Sequence, residues 1–162
     1  MDLNTLKARH LQARKASRTD AKAASAAAVL SRVLGDAETQ AKNRPGTAQL
    51  DLIAGVTTAQ RASLEKEVQD LTRLGRSTDV ARRELEVLQA LHDEVTQLKA
   101  QQDAERAALL MSEAELAGVI RAAVADGATN IGAVMKLLKA QHEGRYDGGL
   151  ASRLAKEAVA AL

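Results

Sequence analysis

The sequence predicts a soluble, all-α protein. Runs of β-branched or aromatic residues are few: Phe and Trp are absent and Tyr146 is the single aromatic. Ala, Leu, Glu, Lys, Arg and Gln dominate, with one Pro, so helix is the favoured local state at nearly every position. Apolar residues recur at three- and four-residue intervals, the period of a helix face rather than of a strand. At 162 residues the chain suffices for one domain or two small ones, burying about two thirds of its unfolded surface. The core must be aliphatic, filled by Leu, Val, Ile, Met and closely packing Ala.

The first helix is expected over residues 2 to 16, with Leu3, Leu6, His10 and Ala13 on one side and Lys7, Arg14, Lys15 and Arg18 on another. Thr19 or Asp20 offers a new N-cap. A second helix then runs from about Ala21 towards Ala41 on Val29, Leu30, Val33 and Leu34. Pro45 and Gly46 end it within Asn43 to Thr47, and Gly55 with its Val and Thr neighbours extends an irregular connection. Thr57 followed by Gln60 reads as a capping box, opening a third helix on Leu64, Val68 and Leu71 that stops at Gly75. Ser77 or Thr78 caps the next, with neither Pro nor Gly from Asp79 to Leu110, roughly 45 Å of helix at 1.5 Å per residue. Leu88, Leu91, Val95 and Leu98 form a heptad seam that Gln102 and Glu105 interrupt, so a partner within the chain is favoured over an extended homodimeric coil.

Ser112 with Glu115 is another capping box, starting a helix on Leu116, Val119, Ile120 and Val124 that stops near Asp126-Gly127. Thr129 or Asn130 caps a helix whose Ile131, Val134, Met135, Leu137 and Leu138 cover more than one face, which places it at the centre of its subdomain. A reversal at residues 144–149 leads to a last helix carrying Leu150, Leu154, Ala158, Val159 and Leu162. The expected organisation is an N-terminal helical bundle or long helical hairpin over residues 1–110, then a compact three-helix tail over 111–162.

The net charge of +2 is mild, and its distribution says more than its size. Residues 1–50 hold nine Lys/Arg against four Asp/Glu, or +5, while residues 51–110 hold eight against eleven, or −3. An apolar signal-peptide core is lacking, as is any run of about 18 apolar residues, so a cytoplasmic chain without membrane spans is expected. Asp2, Asp20 and the helical pattern beyond them oppose a transit-peptide reading. The absence of Cys removes disulfides, thiolate nucleophiles and cysteine-based zinc sites.

The residues supply no catalytic set. His10, His92 and His142 fall on separate helices, and the His92-Asp93-Glu94 run diverges by about 100° per residue, as a solvated surface does. Neither a nucleophile elbow nor a glycine-rich phosphate loop after a strand is present, and no metal or cofactor is expected. Two features carry binding chemistry. In the reversal, Asp147 is placed to cap the last helix, and Gly144, Gly148 and Gly149 tolerate positive φ in a tight turn. Arg145, beside the positive end of that helix, has a binding alternative: a phosphate or a partner carboxylate. At the other end, Lys7, Arg14, Lys15, Arg18 and Lys22 span roughly 100° of a notional continuous helix. That stripe is either solvated charge or a contact to a nucleic-acid backbone, with no aromatic platform for stacking single-stranded bases.

Residues 130–150, through Gly132, Val134, Met135, Gly144, Arg145, Asp147 and Gly148, resemble the signature of the GatB/YqeY family: a Gly-x-Val-Met helix, a Gly-Arg-x-Asp-Gly turn and a final Val/Leu-rich helix. Gly75-Arg76 followed by Asp79, Ala81, Glu84, Glu86 and Leu88 is similar to the stretch before the family's central Tyr-Leu-Pro, and Leu30, Arg32 and Leu34 fit its early Leu-Arg helix loosely. The chain departs from the pattern at Lys139-Ala140, where the family has Met-Pro, and at Glu143, where it has a basic residue. It also lacks Tyr-Leu-Pro and carries about 14 additional residues, two heptads, between Leu88 and Ser112. The resemblance implies a tail domain like that of the B subunit of tRNA-dependent amidotransferases, or like those appended to some glutaminyl-tRNA synthetases. It implies contact with the tRNA body or with such an enzyme, and phosphorylation and amide transfer elsewhere. The expected function is a non-catalytic accessory module with Arg145, Lys136 and Lys139 as phosphate contacts. The alternatives are a protein-interaction scaffold without RNA binding, or a component of a glutamine-dependent carbon-nitrogen ligase complex.

Overall fold

A computed structural model describes residues 1–161; the expected place of Leu162 on the last helix lies outside the described residues. Among the described residues the structure is all-α, with helices and no strand: α1 (Leu3–Ala16), α2 (Ala21–Asn43), α3 (Gln49–Arg73), α4 (Asp79–Leu109), α5 (Glu113–Ala125), α6 (Ile131–His142) and α7 (Gly148–Ala160). No helix among them is long and apolar enough to cross a membrane. The chain divides into two compact units, Met1–Gln101 and Gln102–Leu162. The division falls inside α4, whereas the sequence places it at residues 110 and 111, where that helix ends.

In the first unit, Asp2 caps α1: its carboxylate accepts from the Thr5 amide at 2.8 Å and the Thr5 hydroxyl at 2.7 Å. Asp20 caps α2 through the Lys22 amide, so α1 and α2 are separate helices. The segment around Gly55 is not the irregular connection that the sequence suggests, because α3 passes straight through it. Leu50, Ile53, Val56 and Leu64 repeat at helical spacing and are all buried, and that burial outweighs the roughly 1 kcal/mol cost of one helical Gly. Thr57 is therefore no cap. Fully buried, it donates its hydroxyl to the Ala54 carbonyl at 3.0 Å in the middle of α3. The start of α3 at Ala48 has no side-chain cap.

Leu88, Leu91 and Val95 of α4 meet Leu6 of α1, Val29, Leu30 and Val33 of α2 and Leu50, Ile53 and Val56 of α3 in one apolar cluster. The heptad seam thus finds its partners within the chain, and the bundle arrangement holds rather than the long hairpin. Gln102 and Glu105 are exposed. Ion pairs join the helices around the rim: Arg9 grips Glu94 with both guanidinium nitrogens at 2.7 Å, Arg32 meets Glu84 at 2.5 Å, and Lys99 pairs with Asp51. The Arg9 contact holds the Glu94 carboxyl below its ordinary range.

In the second unit, the α5 capping box forms in full: the Ser112 hydroxyl accepts from the Glu115 amide and the Glu115 carboxylate accepts from the Ser112 amide at 2.8 Å. At the far end of α5, Gly127 adopts φ +102°, which lets its N–H reach the Val124 carbonyl and the Ala128 N–H reach that of Ala123. This paired closure satisfies carbonyls the helix leaves open, and it carries Ala128 into the core. Asn130 caps α6 through the Ala133 amide at 2.8 Å.

The core of this unit is Leu116 and Ile120 of α5, Val134 and Leu138 of α6, Ala151 and Ala155 of α7, and Ala128. The expectation that α6 is central is corrected: α5 and α7 share the most extensive contact, and Ile131 and Leu137 of α6 remain 38% and 36% exposed. Ala151 and Ala155 sit one turn apart on α7, where they bring its backbone close to α5 in a way that the larger side chains of α6 do not permit.

Candidate functional site

The reversal between α6 and α7 is built by its backbone. Gly144 follows the end of α6 at φ +75°, a conformation that a side chain would strain. The Arg145 amide then donates to the His142 carbonyl at 3.0 Å, and the Arg145 carbonyl accepts from the Met111 amide at 2.7 Å. Both main-chain groups of Arg145 are thus committed, one to α6 and the other to the segment leading into α5. Tyr146 turns back to pack on the apolar cluster, and the Asp147 carboxylate caps α7 by accepting from the Leu150 amide at 2.7 Å. Gly148 and Gly149 differ from expectation: they are the first residues of α7, and neither has positive φ.

The Arg145 side chain is exposed and forms no ion pair or hydrogen bond among the described residues. Its charge does reach Glu115. That carboxyl is held below its ordinary range first by the Ser112 amide and hydroxyl that it binds, and to a smaller extent by Arg145. Lys136 and Lys139, three residues apart on α6, share an exposed side of that helix, and neither is paired among the described residues. Lys136, Lys139 and Arg145 thus place three cations on α6 and in the turn that follows it, none with an ion pair among the described residues.

The N-terminal basic stripe is distributed differently. Lys7 is tied to Glu38 of α2 at 2.8 Å, so it joins two helices of the bundle. Lys22 belongs to α2, beyond the Asp20 cap, and does not continue the face of α1. Arg14, Lys15 and Arg18 remain together, without ion pairs among the described residues, and with Leu11 they border a shallow depression of about 340 Å³.

No family model, curated protein or solved structure matches this chain.

Two further surfaces were not legible from the sequence. Between α3 and α4 lies an open groove of about 630 Å³, with Val68, Leu85 and Ala90 as its apolar part and Glu65, Glu86 and Asp93 as its acidic part. Glu86, Gln89 and Asp93 follow one another at helical spacing on α4, but their meeting with Glu65 and Val68 is set by tertiary packing. Between α5 and α6 lies a second depression of about 360 Å³, bordered by Val119, Asp126, Leu137 and His142. The buried Nδ1 of His142 has no hydrogen-bond partner among the described residues. His10, His92 and His142 do not converge: among the described residues no group of three or more His, Asp or Glu is arranged to hold a metal ion.

Proposed function

We propose that this chain is a cytoplasmic, non-catalytic accessory module that binds tRNA or a tRNA-handling enzyme of the amidotransferase or glutaminyl-tRNA synthetase type. Arg145, Lys136 and Lys139 are its phosphate contacts. The observation that carries the reading is the division of labour in Arg145: its amide and carbonyl are fixed on both sides, while its guanidinium is exposed and has no ion pair or hydrogen bond among the described residues. With its backbone already fixed, Arg145 has only side-chain entropy to lose on meeting a phosphate, and the guanidinium fork suits two of the phosphate oxygens. The same turn carries the resemblance to GatB/YqeY tails, through Gly144, Arg145, Asp147 and Gly148. Without aromatic stacking surfaces, binding rests on charge and on the shape of the RNA.

Titrating the full chain with tRNA at two salt concentrations tests this. Contacts to three phosphates predict a log-log salt slope near −2.7, and hence about 40-fold weaker binding at 200 mM than at 50 mM salt. Arg145→Ala should flatten that slope by about 0.9. Absence of retention at the lower salt, or a slope that Arg145→Ala leaves unchanged, rejects the RNA reading. The second reading, a protein-interaction scaffold without RNA binding, is favoured by Ile131 and Leu137, large apolar side chains of α6 that remain 38% and 36% exposed on either flank of its buried face. A pull-down that recovers a protein partner from nuclease-treated extract, with no tRNA retention in the titration, selects it.

A further inference from the structure

Of the open surfaces, the groove between α3 and α4 has the chemistry least suited to a polyanion. Its floor is Val68, Leu85 and Ala90, and its carboxylates are Glu65, Glu86 and Asp93, with Arg82 also present. Glu86 has no ion pair among the described residues, Asp93 is bonded only to the neutral Gln89 amide at 2.7 Å, and Glu65 is met by Arg61 at 3.3 Å. No residue of α1 or α2 lines the groove. Its complement is a helix with one apolar side chain flanked by cations.

The chain itself presents such a helix. On α1 and the turn that follows it, Leu11, Arg14, Lys15 and Arg18 lie on one side; Leu11 is 52% exposed, and the cations are unpaired among the described residues. Glu86 to Asp93 spans about 10 Å of α4 and Leu11 to Lys15 about 6 Å of α1 at 1.5 Å per residue, with Arg18 in the turn beyond. The two surfaces are opposite in charge, three cations on one and a net acidic lining on the other even with Arg82 in the groove and Arg61 beside Glu65, and both belong to the first compact unit.

We infer that the α3–α4 groove receives the α1 face of a second copy of this chain. Leu11 of one copy covers Val68, Leu85 and Ala90 of the other, while Arg14, Lys15 and Arg18 meet Glu65, Glu86 and Asp93. The contact joins unlike surfaces, so it either closes into a ring or extends with concentration. Complementary rims of this kind fix register and partner choice, and they weaken with salt. The inference stands apart from the tRNA reading, whose contacts lie on the second unit.

Sedimentation velocity of the full chain over a concentration series, at about 50 mM and 200 mM salt, tests it. Association at the lower salt should weaken by about tenfold or more at the higher. The doubly substituted R14E/K15E and E86K/D93K chains should each associate about tenfold or more weaker than the parent, with helical circular dichroism unchanged, since all four positions are exposed. Mixing the two variants in equal amounts should restore association, because the reversed α1 of one now faces the reversed groove of the other. A chain that stays monomeric at millimolar concentration in low salt overturns the inference. So does association that neither variant weakens, or a mixture that fails to recover. If R14E/K15E lowers tRNA retention yet leaves self-association intact, the α1 face serves RNA and the inference is wrong.

Discussion

Asp147→Ala and Arg145→Ala separate the structural from the binding role of the α6–α7 reversal. Asp147 is exposed, and the bond its carboxylate accepts from the Leu150 amide at 2.7 Å satisfies one of the open N–H groups at the start of α7. Losing an N-cap of this kind costs about 1 kcal/mol, within a range of roughly 0.5–2. If the unit Gln102–Leu162 unfolds as a small domain, that lowers its melting midpoint by about 4–8 °C. Arg145 contributes its backbone to the turn and its side chain to solvent, so truncation to Ala should change stability by less than about 0.5 kcal/mol. The molecule supplies its own reporter. Tyr146 is the sole aromatic, and it packs on the core of this unit alone, so tyrosine fluorescence follows the second unit while far-ultraviolet ellipticity follows all the helices. Asp147→Asn, which retains a capping oxygen, should recover most of the loss. If Arg145→Ala lowers the tyrosine midpoint as far as Asp147→Ala does, the Arg145 side chain holds the turn together and the phosphate assignment fails. If Asp147→Ala leaves the midpoint in place, the cap is not what stabilises α7.

Three other outcomes follow from the packing and the charges. Leu138→Ala empties a fully buried position in a core otherwise made of Leu116, Ile120, Val134 and alanines, and should cost about 2–5 kcal/mol. A unit of this size is stable by only about 3–9 kcal/mol, so hydrogen exchange should show α5, α6 and α7 losing protection together; persistent protection would refute the core assignment. Folding lowers the Glu115 pKa from its ordinary 4.5, through the Ser112 amide and hydroxyl first, so the carboxylate stabilises α5 fully above that pH and loses its contribution as pH falls through the folded value. The acid limb of a tyrosine-monitored stability profile should therefore be shallower in Glu115→Gln than in the parent, and identical limbs would contradict the box. Gly55→Ala, with open space where the new Cβ would lie in the middle of α3, should raise the denaturation midpoint by roughly 0.5–1 kcal/mol of stability; destabilisation there would mean that the helix is broken at that point.

The sequence alone determined the helical class, most helix ends and the side of each helix that is buried, because these depend on neighbours within a few residues. Asp20, Ser112, Asn130 and Asp147 cap the helices they precede because a short polar side chain reaches N–H groups two or three residues away. The same local reasoning failed at Gly55 and Thr57, where a capping pattern and a Gly suggested a break. Local propensity there amounts to about 1 kcal/mol, and the burial of Ile53, Val56 and Leu64 against α2 and α4 exceeds it. It failed again for α6, where hydrophobicity indicated a central helix. Position was decided instead by volume, since the alanines of α7 allow the closest approach to α5. Of the candidate surface, the cations of α6 and its turn were legible because they are near one another in sequence. The pairing of Lys7 with Glu38, and the meeting of Glu65 with Glu86 and Asp93 in one groove, were decided only when distant helices packed, because no pattern within a single helix records what lies across from it.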